Sequence, residues 1–89
     1  MYGEKVKLQE LISKRMHGFR LSNNLSQEKM SELLHISERA YRELEKGNNF
    51  VSAMTLIYFI VQTDEQAIIL DEFYKIIYQE NKNGDALDG

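Results

Sequence analysis

Residues 25–47 read Leu25-Ser26-Gln27-Glu28-Lys29-Met30-Ser31-Glu32-Leu33-Leu34-His35-Ile36-Ser37-Glu38-Arg39-Ala40-Tyr41-Arg42-Glu43-Leu44-Glu45-Lys46-Gly47. Two helix-start signals lie in this stretch. Ser26 precedes a segment with Glu28 in its first turn, and Ser37 precedes a second segment. Serine at such a position offers its hydroxyl to an unpaired amide of the first turn. The first segment is expected to end near Leu34, with His35 and Ile36 forming a tight turn. The second reaches Lys46, and Gly47 is placed to end it in a left-handed conformation. Histidine tolerates positive φ better than most residues with a side chain, which suits a chain reversal at His35. Met30, Leu34, Ile36, Tyr41 and Leu44 form an apolar set that interlocks the two short helices, and the small Ser31 lets their backbones approach.

Working outward, a first helix is expected over about Glu4–Leu21, where Leu8, Leu11, Ile12, the stem of Arg15, Met16 and Phe19 recur at spacings of three and four. Ser22, Asn23 and Asn24 make a polar break. Ser52 caps a fourth helix reaching about Val61. Thr63, three residues before Gln66, has capping-box spacing and is expected to open a fifth helix ending near Glu80. The reading is therefore all-α. One domain occupies residues 1–80, and 81–89 form a flexible acidic tail. Proline is absent, which removes the strongest helix breaker.

Composition narrows the function. The 89 residues are 43% hydrophobic, enough for one small core. With no cysteine, disulfides and thiolate metal sites are excluded, and a reducing, cytoplasmic setting is expected. Charged residues interrupt the start of the chain, so no signal-peptide apolar region is expected. The strongly apolar run Leu56–Val61 is too short to span a bilayer, so no membrane partner is expected. His17 and His35 are isolated from any metal-ligand set. No serine has a paired base, and there is no glycine-rich phosphate loop. Neither catalysis nor a cofactor is expected. The net charge of −3 is unevenly spread. Residues 1–50 hold nine Lys/Arg against seven Asp/Glu, a net of +2; residues 51–89 hold two against seven, a net of −5.

Three fragments in order, Arg15-Met16-x-x-Phe19-Arg20, Leu25-Ser26-Gln27-Glu28-x-Met30 and Leu44-Glu45-Lys46-Gly47, resemble the Cro and phage-repressor family of helix-turn-helix regulators, over roughly residues 15–61. The resemblance implies a five-helix, lambda-repressor-like domain that binds double-stranded DNA, with the helix over 37–46 in the major groove. It implies that Gln27 contacts a phosphate or an edge base and that Ser26 and Lys46 touch phosphates. It also implies that Arg20 and Glu45 form a buried ion pair tying the first helix to the end of the third. The chain departs from the family pattern at His35, Tyr41 and Phe50. Tyr41 in particular needs room and a partner for its hydroxyl.

The third helix also has a reading of its own. At 100° per residue, Ala40, Tyr41 and Leu44 share one side, while Glu38, Arg39, Arg42, Glu43 and Lys46 share the other, beside the cap Ser37. Arginine matches the two acceptors of guanine, and glutamate accepts from cytosine. Equally, Glu38–Arg42 and Arg39–Glu43 are i,i+4 pairs, so this can be an ordinary solvated face. On the fifth helix, Ile69, Phe73, Ile76 and Ile77 belong to an apolar arc wider than one core contact needs. That excess suggests a homodimer contact, the alternative being a cap on the molecule's own core. A transcriptional regulator, and more specifically a repressor, is the expected function. The rival is a protein-interaction module of the same fold, antitoxin- or antirepressor-like, binding a protein partner.

Overall fold

The computed structural model describes the backbone over residues 2–85 and side chains over residues 3–79. Within them the chain is all-helical: α1 (Tyr2–Ser22), α2 (Gln27–Leu34), α3 (Glu38–Glu45), α4 (Ala53–Gln62) and α5 (Gln66–Asp85), with no strand among the described residues. None of these helices is long and apolar enough to cross a membrane.

Helix starts follow from serine chemistry. The Oγ atoms of Ser26, Ser37 and Ser52 accept from the amides of Lys29, Ala40 and Thr55 at 3.0, 3.0 and 3.1 Å, each satisfying a donor that the first turn cannot. The ends of α1, α2 and α3 share one device. Asn24, His35 and Gly47 all have positive φ, at 54°, 61° and 80°. Behind each, two amides fold back on the last turn: Leu25 to Arg20 O and Asn24 to Leu21 O, Ile36 to Ser31 O and His35 to Glu32 O, Asn48 to Glu43 O and Gly47 to Leu44 O. This double bond pattern satisfies carbonyls that have no intrahelical donor. The His35 ring stacks on Tyr58 with centroids 4.3 Å apart, which helps offset the steric cost of a side chain in the left-handed region.

Two expectations need correction. Thr63 does not cap α5. Its hydroxyl donates to Phe59 O at 2.8 Å and accepts from the Glu65 amide at 3.2 Å, so it finishes α4, and α5 begins at Gln66 behind Glu65. Nor does α5 stop near Glu80: it continues to Asp85. Polar residues alone do not end a helix, because each added residue still gains a backbone hydrogen bond once the helix exists. The last four residues of the expected tail, 86–89, lie outside the described residues.

The core lies where α1 meets α5 and α2 meets α3, with α1 also on α3 and α2 also on α4. Ile12, Met16, Met30, Leu34, Tyr41, Leu44, Phe59 and Ile69 are buried in it, and Phe19 meets Phe59 edge-on at 5.8 Å. Ser31 is buried between α2 and α3 and donates to Glu28 O at 2.6 Å. The α2–α3 pair is thus one packed unit seated on α1, and it fixes which side of α3 faces outward.

Candidate nucleic-acid interface

The geometry starts from a carboxylate. Glu45, last residue of α3, is held by four donors. Arg20 Nε and Nη2 approach it at 2.7 and 3.1 Å, Tyr41 Oη at 2.5 Å and Gln27 Nε2 at 2.9 Å. The side chains of Arg20 and Glu45 are only 15% and 9% exposed. Arg20 Nη1 donates in addition to Leu25 O at 3.1 Å. Burial pushes the Glu45 carboxyl up, but the hydrogen bonds from Arg20, Tyr41 and Gln27 outweigh it and hold the group down at about 2. The guanidinium of Arg20 is pushed up by the same contact. Burial, then the neighbouring carboxylate, also pushes the Tyr41 phenol up, so it stays protonated and donates. Tyr41 thereby finds both room, since it is fully buried, and a partner for its hydroxyl. The cluster ties the α1–α2 junction to the far end of α3.

With its inner side fixed, α3 carries Glu38, Arg39, Arg42, Glu43 and Lys46 away from the core. Arg42 Nη1 pairs with Glu38 Oε2 at 2.7 Å. The other expected pair, Arg39–Glu43, does not form. Glu43 instead accepts from Asn48 Nδ2 at 3.1 Å and faces Lys46 Nζ at 3.7 Å. Asn48 reaches Glu43 because the chain doubles back after Gly47. The hydrogen bond from Asn48 is the main influence holding the Glu43 carboxyl below its usual value, with Lys46 and Arg39 adding to it. Arg39 is exposed and makes no ion pair among the described residues. Ser26 and Ser37, at the starts of α2 and α3, are exposed, each with a hydroxyl proton not committed to the cap.

Gln27 gives one Nε2 hydrogen to Glu45, because an ionised carboxylate accepts only and the amide nitrogen must face it; the second Nε2 hydrogen is not spent on that contact. Arg15 is held in an ion pair. Its Nε and Nη2 meet both carboxylate oxygens of Glu65 at 2.5 and 3.0 Å, joining α1 to the start of α5. The sequence reading missed that pair, since fifty residues separate the partners and no local spacing marks them. A cleft between α1, the end of α3 and α5 carries Lys7, Lys14 and Lys46 beside Glu10, Glu45 and Glu72, so no continuous positive stripe runs from α1 to α3.

The dimer contact expected on α5 is corrected in part. Ile69 is 1% exposed within the single chain, and Phe73 packs against the same core. The α1–α5 packing consumes that side of the helix. Ile76 is half-buried, and only Ile77 of the four is exposed. A comparison with protein-family models, curated proteins and solved structures found no match to the chain.

Proposed function

We propose that the α2–α3 pair is a helix-turn-helix of the phage-repressor type and that the protein binds duplex DNA as a transcriptional regulator, with α3 reading the major groove. The observation that carries this reading is the combination of a clamped inner side and, on the outer side of one short helix, three long cationic side chains interleaved with Glu38 and Glu43. Tyr41, Leu44 and Glu45 are locked inward, while Arg39, Arg42 and Lys46 are exposed on the outside. A reading helix needs long donors on a support that does not rotate. Ser26 and Ser37, at neighbouring helix starts, add uncommitted hydroxyl donors suited to phosphate oxygens. A domain of this size acts by occupying its site, which favours repression.

Selection from random duplex DNA tests the reading directly. An enriched sequence, bound far more tightly than bulk DNA, is the expected result. A second reading, a protein-interaction module, is favoured by the net −5 of residues 51–89 and by the pairing of Arg42 with Glu38. It takes over if no sequence is enriched.

A further inference from the structure

Clefts on the described surface differ in chemistry. The one between α1, the end of α3 and α5 mixes lysines with glutamates and so favours neither sign of charge. Another, at the start of α5, offers Asp64 and little apolar wall. A third, of about 390 Å³, opens on the other face of α1 and is apolar. Leu8 and Ile12 reach it from α1 and Phe73 from α5. Phe50, Val51 and Leu56 reach it from the crossing between α3 and α4 and from the first turn of α4.

This cleft stays open because the chain leaves α3 at Gly47 and crosses to α4 outside the core. Gln9 holds the crossing to α1 by donating its Nε2 to Gly47 O, and Phe50 remains 60% exposed beside the cleft. Residues 47–63 contain no Asp, Glu, Lys, Arg or His, so the crossing contributes wall and no charge. Among the described residues, the one charged side chain lining the cleft is Lys5. It is exposed and makes no ion pair there. Concave sites of about 300–1,000 Å³ with mainly apolar walls and few polar groups hold small molecules. An apolar wall beside a single cation is complemented by an anion that carries an apolar body. One lysine balances one negative charge. A carboxylate therefore suits it better than a phosphate group, which carries about −1.5 to −2 and calls for several donors.

We propose that this cleft binds a small monocarboxylate with a hydrocarbon body, the body against Leu8, Ile12, Phe50 and Phe73 and the carboxylate on Lys5. Removing wall and body from water supplies the affinity. The contact with Lys5 is exposed, so it adds selectivity for the anion more than strength. Through Gln9 the cleft adjoins Gly47, the residue that ends α3. Binding itself requires no DNA, so its success or failure is separate from that of the DNA-binding reading.

Octanoate titrated into the full chain, followed by nuclear magnetic resonance chemical shifts, provides the test. With about ten non-hydrogen atoms it is expected to bind with a Kd between about 10 µM and about 1 mM, shifting Lys5, Leu8, Phe50 and Leu56 most. Octylammonium has the same tail and the opposite charge. It should bind at least about threefold more weakly, since an exposed ion pair is exchanged for a like-charge contact. Acetate, the head without the tail, should not saturate. Lys5→Glu should reverse the order of the two octyl ligands. Phe50→Asp sets a carboxylate beside the apolar wall and should weaken octanoate about tenfold. Both residues are exposed, so both variants should keep the wild-type helical content. If Phe50→Asp does not, the shift map and the Lys5 variant decide. Shifts that fail to saturate below about 10 mM overturn the proposal. So do shifts gathered around Ile57 or Ile77 outside the cleft, octylammonium bound as tightly as octanoate, or an order of ligands unchanged in Lys5→Glu.

Discussion

Glu45 concentrates more of the fold's polar chemistry than any other side chain described. Four donors from α1, α2 and α3 converge on it, so removing one partner leaves charge without compensation in a poorly solvated place. Arg20→Ala is expected to cost about 3 kcal/mol, the low end for a buried pair because Arg20 keeps some water contact; urea denaturation measures it. Tyr41→Phe removes one hydrogen bond to a charged group and should cost about 1.5 kcal/mol, since three donors remain. The pH dependence has a definite sign. The carboxyl is depressed from its ordinary value near 4.5 to about 2 in the folded state. Its contribution is therefore complete above pH 4.5 and is lost as pH falls through that window toward 2. Thermal midpoints between pH 5 and 2 should fall more steeply for the wild type than for Glu45→Gln. Parallel curves would assign acid sensitivity to other carboxylates.

At the scale of elements, the helix boundaries separate what local sequence determines from what packing determines. Ser26, Ser37, Ser52 and Gly47 could be read directly, because a cap or a left-handed glycine acts on amides and carbonyls only a few residues away. The tight turn at His35 was legible for the same reason, whereas its stacking on Tyr58 was not, because that partner lies on another helix. Thr63 misled because one hydroxyl within reach of two helix ends can serve either, and its partner was decided by how α4 and α5 meet. The apolar arc of α5 could be counted but not divided: a helical wheel does not say that α1 takes Ile69 and Phe73. The Arg20–Glu45 contact came from a family resemblance and Arg15–Glu65 from nothing in the sequence. The left-handed ends support two comparisons. At Gly47 an added Cβ would have only ordinary contact with Ser13 Oγ, at 3.9 Å, so Gly47→Ala should cost about 1–2 kcal/mol, from backbone conformation alone. His35→Gly should be close to neutral, gaining backbone ease while losing the ring contact with Tyr58. His35→Ala keeps the strain and loses the stacking, and should be the less stable of the two by about 1 kcal/mol in urea titrations.

For the molecule as a whole, charge is the quantity to reconcile with DNA binding. The net of −3 is composed of +2 over residues 1–50 and −5 over residues 51–89. The α2–α3 unit lies in the first half, so approach to a polyanion in one orientation is less opposed than in any other. Within α3, Arg42 must leave Glu38 before it can reach a base edge, while Arg39 has no ion pair to break among the described residues. An i,i+4 pair contributes about 0.2–0.5 kcal/mol, whereas a bidentate arginine–guanine contact discriminates by about 1–3 kcal/mol. On the proposed DNA-binding reading a base contact would outweigh the intrahelical pair, which would trim its net effect without preventing it. Arg39→Ala and Arg42→Ala should each weaken binding to the selected sequence by about 1–3 kcal/mol and relax preference at one base pair, with Arg42 the smaller by a few tenths. Lys46→Ala should weaken all sequences alike and flatten the slope of log affinity against log salt by about one phosphate contact. Those losses should come with stability changes of only a few tenths of a kcal/mol, because all three side chains lie outside the core. Titrations of the three variants against selected and scrambled duplexes at several salt concentrations separate the patterns. Equal losses on both duplexes for all three would reduce α3 to a non-specific cationic surface. Affinity weaker than about 10⁻⁴ M for every duplex at physiological salt falls below ordinary non-specific binding, and α3 would then be a protein-binding face.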